Sequence, residues 1–132
     1  VAAHADMCNI GNGMSVEEHH AKLDILAQYC LELGRDPSEI EVTHNTRVLI
    51  ADSDAELEKL IAQGARDSHM SLDDYRGTLD RAIVGNPEQC AEQIQKYVDY
   101  GIRYFFLIFP NPTPSENLEL FAAKVMPSFA DI

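Results

Sequence analysis

The sequence predicts an α/β fold in which helices alternate with the strands of a parallel sheet. Three observations carry that prediction. Twice a helical repeat ends in glycine and a strand pattern follows within a few residues, after Gly34 and after Gly101, which is the rhythm of βα units. The run Tyr104-Phe105-Phe106-Leu107-Ile108-Phe109 is apolar without alternation, as in a strand covered on both faces. Three helix starts carry cap signals, Ser15 with Glu18, Ser53 with Glu56 and Asn86 with Gln89. The 132 residues fit one domain, 1–132, since domains most often run to about 100–150 residues.

In chain order, Ala5 to Ile10 reads as a short strand ending in the turn Gly11-Asn12-Gly13. Ser15 opens a helix whose Val16, Leu23, Leu26, Ala27, Cys30 and Leu31 recur at helical spacing and predict one buried face. His19 and His20 are expected on its wet, acidic side. Gly34 reads as a left-handed stop, and Asp36-Pro37-Ser38 turns the chain into a strand from about Ile40 to Ala51. From Ser53, a helix with Leu57, Leu60 and Ile61 inward is expected to end near Gly64. Residues 65–82 are polar and irregular, with one short helix from Leu72 to Arg81.

Asn86 reads as a cap, Pro87 as the first helical residue and Gln89 as the side chain reaching back. That helix turns Cys90, Ala91, Ile94, Tyr97 and Val98 inward and stops at Gly101. After the apolar strand comes the proline-rich loop Pro110 to Pro114, and Ser115 starts a last helix ending about Pro127. Three strands are thus expected. An open three-stranded parallel sheet would leave two apolar edges to cover.

The charge balance excludes several partners. Ten basic against 22 acidic residues give a formal net charge of −12. Nucleic acid needs a basic face to displace counterions, and an anionic membrane surface needs the same. The longest apolar run, Phe105 to Pro110, falls far short of the roughly 20 residues that span a bilayer. The opening residues do not read as a signal peptide, and no Met stands first; the expectation is processing, or a start partway into a longer protein. Cys8, Cys30 and Cys90 are odd in number and widely spaced, which suits buried thiols in a reducing cytoplasm rather than a disulfide framework. The His and Cys residues show no zinc-site spacing, and Glu17-x-x-His20 is only half of a di-iron motif, so no metal is expected.

Several segments resemble the luciferase-like monooxygenase superfamily. Ala2-Ala3-His4-Ala5-Asp6-Met7-Cys8-Asn9-Ile10 is similar to its "ARYAD-x-x-N" strand, and Leu33-Gly34-Arg35-Asp36-Pro37-Ser38-Glu39-Ile40 to the "GRDPSEI" approach to its seventh strand. Ile83 to Cys90 resembles its "VGTPEQ" helix start, with Asn86 in place of Thr. Gly101 to Phe109 and Glu116 to Phe129 resemble the final strand and helix. The resemblance implies the C-terminal portion of a (β/α)8 TIM barrel, strands six to eight with their helices, from a fold of about 250 residues. It implies an oxidoreductase or monooxygenase using FMN or the deazaflavin coenzyme F420 on a small-molecule substrate. The family's glycine-rich phosphate cradle lies upstream of the position matching Val1. This chain alone is therefore expected to bind no cofactor and to be inactive; the alternative is a non-catalytic half-barrel that self-associates as a homo-oligomer or docks on a complementary half.

In such barrels, function sits at the carboxyl ends of the strands. That singles out Asn9, Gly11 and Asn12 for the cofactor and Asn111 for the substrate; Arg47 joins the substrate residues if its strand breaks near there, and His44 and Asn45 do so if they face the barrel interior. Each has a plainer reading. Asn9 can simply satisfy its own turn, and His44 can be a core histidine. Arg47 needs a partner, an anionic ligand or a neighbouring carboxylate. The helix start at Asn86 could attract phosphate, but capping accounts for it.

Overall fold

The computed structural model describes residues 1–11, 14–110 and 115–130. Its strands are β1 (Met7–Gly11), β2 (Glu41–Ile50), β3 (Ile83–Gly85) and β4 (Tyr104–Ile108). Its α-helices are α1 (Val16–Glu32), α2 (Asp54–Asp67), α3 (Leu72–Gly77), α4 (Pro87–Asp99) and α5 (Ser115–Lys124). All pairings are parallel. β2 is the long central strand. It pairs with β1 from Met7↔Glu41 to Gly11↔Asn45 and with β4 from Thr43↔Tyr104 to Arg47↔Ile108, so those two lie on its opposite edges. Its last residues pair with β3, from Val48↔Ile83 to Ile50↔Gly85. The sheet therefore has four strands where three were expected. Three residues ending in Gly are too few to show a strand periodicity, and only the pairing with β2 makes β3 a strand.

The helix starts follow their caps. Ser15 with Glu18 and Asn86 with Gln89 form reciprocal capping boxes. At α2 only half of the expected box forms, with Ser53 Oγ accepting from the Glu56 amide. Gly34 (φ 69°) and Gly101 (φ 90°) take the left-handed conformation that ends a helix. Gly64 does not stop α2, which runs on to Asp67. A Cβ there would overlap the Tyr75 ring, so this glycine serves the close approach of α3. α3 itself stops at Gly77, short of Arg81, with Thr78 as its cap.

Successive strand residues point to opposite faces, and laterally paired residues share one. His44, Thr46, Val48 and Ile50 of β2 thus share a face with Ile10 of β1, Ile83 of β3, and Phe105 and Leu107 of β4. α4 and α5 cover it, burying Val48, Ile50, Ile83, Cys90, Ile94, Val98, Phe121 and Val125 in one core. Each such side chain contributes about 1.5–3 kcal/mol on burial. α1 covers the amino-terminal end of this face, around Ala2, Cys30 and Ile40. Leu31 points away from that contact and is 70% exposed, against its expected place on the buried stripe.

The other face carries Asn9, Gly11, Thr43, Asn45, Arg47, Leu49, Tyr104, Phe106 and Ile108. Among the described residues, helices cover this face at its carboxyl-terminal end, where Leu49 meets Ile61, Ala65, Tyr75 and Leu79 of the α2–α3 region. Tyr104, Phe106 and Ile108 are 44–47% exposed. The β4 strand is thus covered on one face here, although its composition suits cover on both.

Candidate functional site

The open face brings four of the sequence-predicted residues together. Asn9 and Gly11 lie on β1, with Asn45 paired to Gly11 and Arg47 two residues on. Asn45 sits against Gly11 so closely that a Cβ at position 11 would collide with its backbone. Arg47 donates from Nη2 to the carbonyl of Thr78, at the cap of α3. Its partner is a backbone oxygen rather than the carboxylate expected, because α3 brings its carbonyl end over this strand. Asn12 and Asn111 lie outside the described residues.

His44 belongs elsewhere. Asn45 follows it in a strand, so the two cannot share a face. His44 is fully buried beneath α1 and α4, with Nδ1 bonded to the Ile10 carbonyl at 3.2 Å. Tyr97 stacks on its ring at 4.2 Å, and His19 stands edge-on at 5.1 Å. Burial, with the neighbouring His19, pushes the His44 pKa down to about 4, and burial lowers that of His19 also. His19 is itself 1% exposed, contrary to its expected place on the wet side of α1. Its apolar surroundings come from strand and helix partners distant in sequence, which a helical repeat does not show.

Two features of the open face escape a reading by residue type. Thr43 is fully buried between Asn9 and Tyr104, and its hydroxyl has no partner among the described residues. Tyr104, Phe106 and Ile108 form an apolar stripe on the side of β4 away from the helices. The parity of positions 43, 45 and 47 was the available signal for the first. Nothing in the run from Tyr104 could have shown which half of it is open.

Chemically, the face offers carboxamides, a hydroxyl and one guanidinium beside a hydrophobic strip. The exposed carboxamide of Asn9, with Asn45 and the stripe, suits a planar heteroaromatic ring, one flat side on the stripe and its polar edge toward Asn9 and Asn45. Among the described residues Arg47 is the one basic side chain that the register places on this face, so a phosphate tail finds little there. A separate cavity of ≈570 Å³ with a mixed lining lies past the end of β2, where Asp52, Glu56, Lys59, Glu116 and Asn117 meet Leu60 and Leu120. Asn117 Nδ2 bonds to the Ile50 carbonyl at 2.5 Å beside it. Neither Cys8 nor Cys90 is poised as a nucleophile: burial pushes Cys90 up to about 12 and raises Cys8. Among the described residues no three His, Cys, Asp or Glu side chains gather as a metal centre needs, and no helix is long and apolar enough to cross a membrane.

No family model matches the sequence, and comparison with curated proteins finds no match. Solved structures do match. The chain superposes on EDTA monooxygenase (EmoA) from Chelativorans sp. BNC1 with a TM-score of 0.73 at 16% identity, over 97% of this chain and 42% of that one. For the coenzyme F420 dependent tetrahydromethanopterin reductase from Methanopyrus kandleri the TM-score is 0.68 at 13% identity, over 97% and 46%. For riboflavin lyase (RcaE), solved with modified FMN and riboflavin, it is 0.70 at 14% identity, over 96% and 39%. These likenesses show a shared fold. The chain has the architecture of part of a (β/α) barrel, as the sequence predicts, and spans less than half the length of each of these proteins.

Proposed function

We propose that the chain forms the carboxyl-terminal wall of a luciferase-like oxidoreductase that uses coenzyme F420 or FMN on a small organic substrate. The observation that carries this reading is the open face itself. It sets Asn9 and Gly11 of β1, Asn45 and Arg47 of β2 and Tyr104, Phe106 and Ile108 of β4 side by side, and Gly11 and Ile108 end their strands at the side where barrels of this fold place their chemistry. The motif resemblance and the solved neighbours, one named for F420 and one holding modified FMN, support the same reading.

The cofactor would supply hydride transfer or oxygen activation. The chain's own residues would orient it. The Asn9 and Asn45 amides would hold the polar edge of the ring, and the stripe on β4 would exclude water from its flat side. Arg47, anchored by the Thr78 carbonyl, would place a positive charge near developing negative charge. In this reading the phosphate cradle is supplied from outside these 132 residues, and the chain alone is inactive.

The test is to sequence the gene across the codon for Val1 and assay the encoded protein. The reading expects upstream frame supplying the remaining barrel strands, and F420- or FMN-dependent turnover. Asn45→Ala or Arg47→Leu in that protein would weaken cofactor or substrate binding about tenfold, the loss of one hydrogen bond to a charged or polar group. Turnover by the 132-residue chain alone would overturn the inactive assignment.

A second reading rests on the same exposed stripe. A half-barrel with Tyr104, Phe106 and Ile108 bare would cover them by self-association or on a complementary half. A clean monomer at micromolar concentration in sedimentation would count against it.

A further inference from the structure

We propose that the buried His19–His44 pair is an acid-operated latch: it holds α1 on the sheet while both rings are neutral and releases it when they take up protons. The pair sits where α1, β2 and α4 meet, with His19 1% exposed and His44 fully buried. Tyr97 of α4 stacks on His44 and lies 6.1 Å from His19, and the Phe105 ring of β4 lies 6.2 Å from His44. His44 Nδ1 donates to the Ile10 carbonyl, and its Nε2 has no hydrogen-bond partner among the described residues. Neither nitrogen of His19 makes a well-formed hydrogen bond among them, although the Ile10 carbonyl also acts on its ring.

The groups facing the pair offer a proton no counter-charge. From α4 come the neutral phenol of Tyr97, which donates to the Met14 carbonyl at 3.2 Å, and Lys96, whose charge acts on Glu17. From α1 comes Glu17, exposed, whose charge is felt at Tyr97. From β1 comes the Ile10 carbonyl and from β4 the Phe105 ring. The ion pair that α1 makes through histidine uses the neighbouring His20 with Asp24, at 3.5 Å on the surface. Two cations at 5.1 Å in such a setting repel each other and lose hydration together.

Besides the pair, α1 is held by Cys30 with Leu26 packed beside it and by the surface ion pair of Glu18 with Arg81 at 3.2 Å. Of its 17 residues only His19 and Cys30 are fully buried, while Ile25, Tyr29 and Leu31 are at least half exposed. One of its two deep anchors is therefore titratable. The partner carbonyl belongs to Ile10, between Asn9 and Gly11, so release would also free the end of β1 that forms part of the open face.

The experiment reads Cys30 accessibility in the intact chain. Samples at pH 7.5 and 5.0 are treated with 4,4′-dithiodipyridine, and modified cysteines are identified by peptide mass spectrometry. Each rate is divided by that of the urea-unfolded chain at the same pH. His44 shifting from 6.5 to about 4 makes opening about 30-fold more favourable at pH 5.0, and His19 adds to it. The expected result is a Cys30 gain of at least tenfold with Cys90, on the buried side of α4, still protected. A His19→Leu/His44→Leu chain, or His19→Leu alone if the double variant does not fold, should lose most of that gain. Equal protection of Cys30 at both pH values would overturn the proposal. So would simultaneous labelling of Cys90, which signals global unfolding, or an undiminished gain in the variants.

Discussion

A single methyl group added at Gly64 sets helix propensity against packing. Gly64 lies inside α2, where Gly→Ala ordinarily stabilises by about 1 kcal/mol. Here the new Cβ would overlap the Tyr75 ring, standing 2.7 Å from Cε1 and closer still to Cζ and the hydroxyl. Tyr75 is 6% exposed and packed with Leu49, Ile61, Ala65 and Leu79, so its ring has little room to retreat. Overpacking of that kind costs about 1–3 kcal/mol, and the net expectation is a loss of about 1 kcal/mol. In a Tyr75→Leu background the obstacle is gone, and the same Gly64→Ala change should stabilise by about 1 kcal/mol. The assay is urea denaturation of the four chains of the double-mutant cycle, with a coupling energy near 2 kcal/mol expected. A higher midpoint for Gly64→Ala in the otherwise unchanged chain would refute the seating of Tyr75 on Gly64. The outcome bears on the candidate site, because Tyr75 fixes α3, and the Thr78 carbonyl at the end of α3 anchors Arg47.

Three further outcomes are expected. Asn86→Ala removes the cap that accepts from the Gln89 amide at 3.0 Å and should lower stability by about 1 kcal/mol in urea titration, with Asn86→Gly costing only a few tenths. His44, whose folded pKa is depressed, favours the fold above its unfolded value of 6.5, and that contribution is lost as pH falls toward about 4. The loss amounts to about 3 kcal/mol as an upper bound. Comparing urea midpoints of the chain and His44→Leu from pH 7 to 5 isolates it, and parallel pH profiles would contradict the burial of a neutral imidazole. Phe106→Ser on the open stripe should change monomer stability by no more than about 0.5 kcal/mol, yet reduce any self-association seen in sedimentation; an unfolded variant would mean that the side chain is covered.

The local elements were legible because each rests on nearby residues. The boxes at Ser15 and Asn86, the left-handed stops at Gly34 and Gly101 and the long central strand are all written within a few positions of one another. Errors cluster where a distant partner decides. Gly64 looked like a stop because its real partner, Tyr75, lies eleven residues on in another helix. β3 was missed because its only strand character is its pairing with Ile50 and its neighbours. His19 and His44 were read apart, one as wet and one as lining the barrel, although both point into the same seam.

For the candidate site, residue type alone chose Asn9, Gly11, Asn45 and Arg47, and the parity of β2 already separated His44 from that group. What the sequence by itself determined is the order of helices and parallel strands and the presence of a strand apolar throughout, since these depend on periodicity and caps. The tertiary structure alone decided which face of that strand is bare, which imidazoles share a dry seam and which oxygen holds Arg47. Those facts depend on lateral register and on helices laid across the sheet from far along the chain, and no local pattern of side chains encodes them.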